Sequence, residues 1–60
     1  MYVIYNNVEE KNIFQGNERE FINFTKTIVK ENGDIDYSIL GISDAIEYIE
    51  DFCSNLEIVE

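Results

Sequence analysis

Sixty residues allow one small domain, and a folded chain of that length hides only about 60% of the surface its unfolded form exposes. The formal charge of −9 is unevenly placed: residues 1–30 carry four acids and four bases, whereas residues 31–60 carry nine acids and no base. An apolar content of 45%, with four Tyr and four Phe, excludes a disordered acidic tail, and the single Cys excludes an internal disulfide framework.

Residues 2–5 (Tyr-Val-Ile-Tyr) are all β-formers, and Asn12-Ile13-Phe14-Gln15 alternates polar and apolar at its centre. With the polar stretch Asn6 to Lys11 between them, they read as a β-hairpin. Gly16 closes the second strand. Asn17, followed three residues later by Glu20, has the spacing of a capping box, so a helix is expected from Glu18. At 100° per residue, Phe21, Ile22, Phe24, Thr25, Ile28 and Val29 share one arc of about 160°. Asn32-Gly33 supplies a left-handed stop, which gives a helix over about 18–31.

Residues 34–42 alternate at first as a strand would, yet Ile39-Leu40-Gly41-Ile42 reads equally well as a buried loop. A second helix is expected to begin with Ser43 as its cap, with Asp44 at the positive dipole end. Its apolar face comprises Ala45, Ile46, Ile49, Phe52, Cys53 and Leu56, and its opposite face holds Asp44, Glu47, Glu50, Asp51 and Ser54. Leu56-Glu57-Ile58-Val59 is β-like and would cover an edge of the hairpin. The fold class is therefore α+β, ordered β-β-α-(β)-α-β over residues 1–60. A chain this small gains from burying an apolar face against a second copy, so a homodimer is expected.

The side chains on offer restrict the chemistry. Without His, the commonest general base near neutral pH is absent, and Cys53 on the apolar face of helix two reads as a core thiol. No enzyme activity, cofactor or metal is expected. The stretch from Lys30 to Tyr37 resembles the middle of an EF-hand loop, but with Gly33 at position six the ligand positions one, three and twelve fall on Ile28, Lys30 and Ile39. Gly16, Gly33 and Gly41 lie too far apart for a phosphate-binding loop, and the negative charge opposes direct nucleic-acid binding. The start of the chain lacks the basic n-region of a secretory leader, and no apolar run approaches the roughly 18 residues of a membrane span. A soluble protein of the cytoplasm, without membrane contact, is expected.

Two charged features remain. Arg19, Asn23, Lys26 and Lys30 form a narrow stripe on helix one, read either as a solvated face or as a contact for the acidic helix of another copy. Asp44, Glu47, Glu50 and Asp51 recur three or four residues apart, where like charges repel by a few tenths of a kcal/mol per pair. They serve solubility, or they form a binding surface for a basic partner, with Tyr48 at the edge of their face as an aromatic anchor.

A short acidic chain with ten Ile, seven Asn, one Ala, no Pro and no Trp has the residue usage of an AT-rich genome. Together with the capped helix at Gly16-Asn17-Glu18-Arg19-Glu20-Phe21 and the acidic helix at Ser43-Asp44-Ala45-Ile46-Glu47, it resembles the small accessory proteins of phages infecting low-GC Gram-positive bacteria. That resemblance is one of size, charge and texture, and assigns no residue a role. It implies a non-enzymatic inhibitor of a host defence protein with a basic surface, acting in the host cytoplasm, in some cases as a nucleic-acid mimic. The alternative is a small structural or regulatory subunit of a larger assembly, whose acid serves only solubility.

Overall fold

The computed structural model describes residues 1–59 and has the element order β-β-α-α-β. Strands β1 (Tyr2–Asn6) and β2 (Lys11–Gly16) form the expected hairpin. Asn6 sets its turn, because its Oδ1 accepts hydrogen bonds from the N–H groups of Val8 and Glu9, both at 2.9 Å. Pairing steps from Ile4↔Phe14 to Tyr5↔Asn12, which leaves Ile13 as an extra residue in β2. This β-bulge lets the adjacent Ile13 and Phe14 both pack on the core, where strict alternation would send one of them outward.

Helix α1 (Glu18–Glu31) begins with the complete capping box. Asn17 Oδ1 accepts from the Glu20 N–H and Glu20 Oε1 accepts from the Asn17 N–H, each at 2.9 Å. A Cβ at the preceding Gly16 would stand 2.7 Å from that Glu20 oxygen and 2.9 Å from the Phe14 ring, so a larger residue there would displace the capping side chain or the ring. At the other end the helix closes in a Schellman motif. The Asp34 N–H reaches the Val29 carbonyl and the Gly33 N–H the Lys30 carbonyl, both at 3.1 Å, with Gly33 at φ 76°. Phe21, Thr25 and Val29 are buried, and the Thr25 hydroxyl is satisfied by donating to the Phe21 carbonyl at 2.9 Å.

No strand forms across residues 34–41. A turn closes between Asp34 and Tyr37, whose N–H donates to the Asp34 carbonyl at 3.0 Å, and the segment continues irregularly. Only Ile39 of its aliphatic residues enters the core, while Ile35 and Leu40 remain 86% and 88% exposed.

Helix α2 (Ile42–Phe52) starts earlier than expected, with Gly41 rather than Ser43 as the N-cap and no side chain capping it. Asp44, at the third helical position, instead reaches back to accept the Leu40 N–H at 2.9 Å. The helix also stops sooner: Cys53 is its C-cap, and Leu56 belongs to β3 (Leu56–Val59). That strand pairs antiparallel with β1, from Val3↔Val59 to Asn6↔Leu56, which gives the sheet order β2-β1-β3. The tail thus covers the free edge of β1, as expected.

With a least dimension of 15 Å, the domain has two layers, the sheet and the helix pair. Ile4, at the centre of β1, points into the core beside Phe21, Val29, Ile39, Ala45, Tyr48, Ile49 and Cys53. An aromatic seam runs from the sheet to α1 through Tyr2–Phe21, Phe14–Phe21 and Phe14–Phe24, with ring centroids 5.1, 6.0 and 4.8 Å apart. Each fully buried large side chain contributes about 1.5–3 kcal/mol, against a backbone cost of about 1–2 kcal/mol for every residue ordered. Stability in so short a chain is consequently sensitive to single contacts.

Candidate functional site: an acidic and aromatic surface

Asp44, Glu47, Glu50 and Asp51 project from one side of α2, within an arc of about 120° at 100° per residue. Glu47, Glu50 and Asp51 are exposed, and Asp44 is half-buried against Leu40. Among the described residues one salt bridge forms, Lys11 to Glu9 at 3.5 Å in the hairpin, so no Lys or Arg lies within ion-pair distance of the helix-two carboxylates. The basic stripe on α1 is exposed along its whole length.

Tyr48 corrects the expectation of a surface anchor. It is fully buried, with its ring in the core and its hydroxyl bonded to Asp34 and Asn32, at 2.6 and 3.0 Å. On the helix alone Tyr48 borders the acidic arc. The chain after α1 folds over that border, seals it with Tyr37 and makes it interior. The Tyr48 hydroxyl is held protonated above its ordinary value of 10.0, first by burial and then by its hydrogen bond to Asp34.

The aromatic residues that do reach this surface are Tyr37, half-buried, and Phe52, 57% exposed. They meet edge to face at 5.5 Å, and both pack on Tyr48, at 4.8 and 5.0 Å. Tyr37 is raised above 10.0 by partial burial and then by the charges of Glu47, Asp44 and Asp51. The acidic side of α2 and the 33–41 segment meet through Tyr37, packed on Tyr48 and Phe52, and through the Asp44–Leu40 bond. Asp34 and Asp36 extend the acidic side, lining with Tyr37 and Phe52 a shallow groove of about 310 Å³.

This surface attracts cations and repels anions by its charge. Cys53 is buried at the end of α2, and burial followed by the Asp34 charge pushes its thiol above the ordinary value of 9.0. No group of three or more His, Cys, Asp or Glu side chains among the described residues is placed to hold a metal ion. Among the described residues no helix is long and apolar enough to cross a membrane.

Asp34, Asp36, Tyr37 and Phe52 were not singled out for this surface from the sequence. The signal for the first three was an acidic pair flanking an exposed Ile next to a Tyr, just after a helix stop. Their meeting with α2 required the turn at Asp34–Tyr37. Comparison with known proteins finds no matching family model, no significantly similar curated protein and no significantly similar solved structure.

Proposed function

We propose that this chain is a non-enzymatic inhibitor that binds a protein with a basic surface, most specifically a phage product acting on a host defence protein in the host cytoplasm. The observation that carries the reading is the exposure of Glu47, Glu50 and Asp51 without a cationic partner among the described residues, beside the exposed Phe52. Uncompensated carboxylates on successive turns cost folding energy, and a basic partner would turn that repulsion into steering and affinity. Phe52 would supply an apolar contact within the charged ring. Carboxylates at this spacing stand in for phosphates in a cleft built for nucleic acid. The phage context is carried by the resemblance in size and residue usage alone.

The test is affinity capture from the lysate of a low-GC Gram-positive bacterium, using the natural chain and the double variant Glu50→Lys/Asp51→Lys, at low and high salt. The expected result is a basic protein held by the natural chain, inhibited by it when purified, and released by either the variant or salt, because exposed charge is screened over about 8 Å near physiological ionic strength. Capture that survives both changes would sink the acidic-surface reading. It would favour an assembly subunit bound through apolar burial.

A further inference from the structure

The bases of α1 converge on a second groove. Lys26 and Lys30, one turn apart, line a depression of about 410 Å³ with Ile35, Tyr37 and Leu40 of the segment that follows the helix. Neither lysine forms a salt bridge among the described residues, and Ile35 and Leu40 are the two most exposed large aliphatic side chains of the domain, at 86% and 88%.

Leu40 and Tyr37 also border the acidic side. The Leu40 N–H donates to Asp44, and Glu47 follows Asp44 by three residues on the same side of α2. The molecule thus carries a strip that reads base, aliphatic, acid: Lys26 and Lys30, then Ile35 and Leu40, then Asp44 and Glu47. Such an order is self-complementary. Rotated by half a turn about its aliphatic centre, the strip sets each basic end against an acidic end of its copy, and two identical contacts form at once.

We propose that the chain pairs into a two-fold homodimer through this strip, with Leu40 and Ile35 of both protomers meeting near the axis. Lys26 and Lys30 of each protomer then face Asp44 and Glu47 of the other. A second copy is the occupant because one surface supplies both halves of the complementarity: the groove requires a segment that is acidic and apolar together, and that chemistry lies at its own rim. A stable interface of about 800 Å² per partner would cover about a fifth of the 4171 Å² surface, within reach of the strip and its surroundings. Glu47 belongs to both surfaces, whereas Glu50 and Asp51 lie beyond the strip, so substitutions at Glu50 and Asp51 test the binding of a basic partner without touching the dimer contact.

The test is mass in solution by sedimentation, with circular dichroism to verify the fold. The natural chain is expected to be a dimer at micromolar concentration. Lys26→Glu/Lys30→Glu and, separately, Leu40→Glu are expected to weaken it at least about tenfold. Both act at exposed positions, so both should stay folded. A chain carrying Asp44→Lys/Glu47→Lys should likewise fail to self-associate, yet should pair with the Lys26→Glu/Lys30→Glu chain, because one of the two contacts is then the natural one and the other is restored with its charges exchanged. A single-chain mass at every concentration overturns the proposal, as does a dimer indifferent to both the lysine reversal and Leu40→Glu. Open-ended growth with concentration overturns the two-fold arrangement, and failure of two folded charge-reversed chains to pair overturns the charge contact. Glu50→Lys/Asp51→Lys should leave the dimer intact, which keeps its outcome distinct from that of partner binding.

Discussion

The Tyr48 hydroxyl donates to Asp34 Oδ2 at 2.6 Å, across 14 residues of chain, and ties the exit of α1 to the middle of α2. Asn32 Nδ2 donates to the Tyr48 hydroxyl oxygen at 3.0 Å, so the hydroxyl is used as both donor and acceptor. This small bridge holds the intervening segment, and with it Asp34, Asp36 and Tyr37, against the acidic helix. The candidate surface depends on it.

Tyr48→Phe removes the bridge while leaving the ring packing in place. A hydrogen bond to a charged acceptor contributes about 1.5–3 kcal/mol net, which sets the scale of the expected loss. Since 1 kcal/mol corresponds to about 4–8 °C in a domain of this size, thermal denaturation should register a drop of at least several degrees. An unchanged midpoint would mean that the bridge contributes nothing to the fold.

The same residue predicts an alkaline limit. Burial and the Asp34 bond raise the Tyr48 phenol above 10.0 in the folded chain, so the folded state holds this proton more tightly than the unfolded state does. The contribution is whole below pH 10.0 and declines as pH rises through the folded value. Tyr37 is shifted in the same direction and adds to the loss. Denaturant midpoints should fall above about pH 10 in the natural chain, and fall less steeply in Tyr48→Phe. Equal slopes would remove Tyr48 from the account.

Gly33→Ala places a side chain at φ 76°, where an L-residue costs about 1–2 kcal/mol. Open space surrounds the position, so this substitution reports backbone strain without a steric clash. Asn17→Ala at the other end of α1 should cost about 1 kcal/mol through loss of the capping box. The two positions are distant and share no partner, so their effects on the urea midpoint should add.

Salt should stabilise the isolated chain. With a formal charge of −9 and a single salt bridge among the described residues, screening removes more repulsion than attraction. Melting temperature is expected to rise between low and moderate sodium chloride. A fall would reveal attractive pairs formed in solution.

Glu50→Gln should raise stability by a few tenths of a kcal/mol, because it relieves a like-charge neighbour on α2. Binding of a basic partner should weaken in the same variant. Opposite signs in the melt and in the titration would identify the carboxylate as kept for contact; a variant that gains stability and binds equally well would identify it as solvation only.

Much of this fold was legible in residue order because the signals were local. The capping box at Asn17 and Glu20, the left-handed stop at Gly33 and the apolar arc of α1 each depend on residues within a turn or two of one another, and each formed where the spacing put it. The hairpin and the closing strand followed from β-forming runs. At α2 the local signals failed by small margins: Ser43 was the better cap by type, yet the chain entered the helix at Gly41 and used Asp44 to hold Leu40. Leu56 matched the helical period but was drawn into the ladder with Asn6. The first departure is a local exchange of one side-chain bond for another, and the second follows from a backbone partner at the far end of the chain.

The sequence by itself determined the acidity of α2 and its segregation to one side, since charge and the 3.6-residue period are properties of residue order. Tertiary structure decided which aromatic residues accompany that charge. Tyr48 lies on the border of the acidic arc, and whether such a border residue is surface or core depends on what packs over it. The turn at Asp34 brought Tyr37 across it, placed the Tyr48 hydroxyl between Asp34 and Asn32, and left Phe52 as the accessible ring. The same turn set Leu40 between the lysines of one helix and the carboxylates of the other. No periodicity reports such a placement, because it arises where two helices and the chain between them meet.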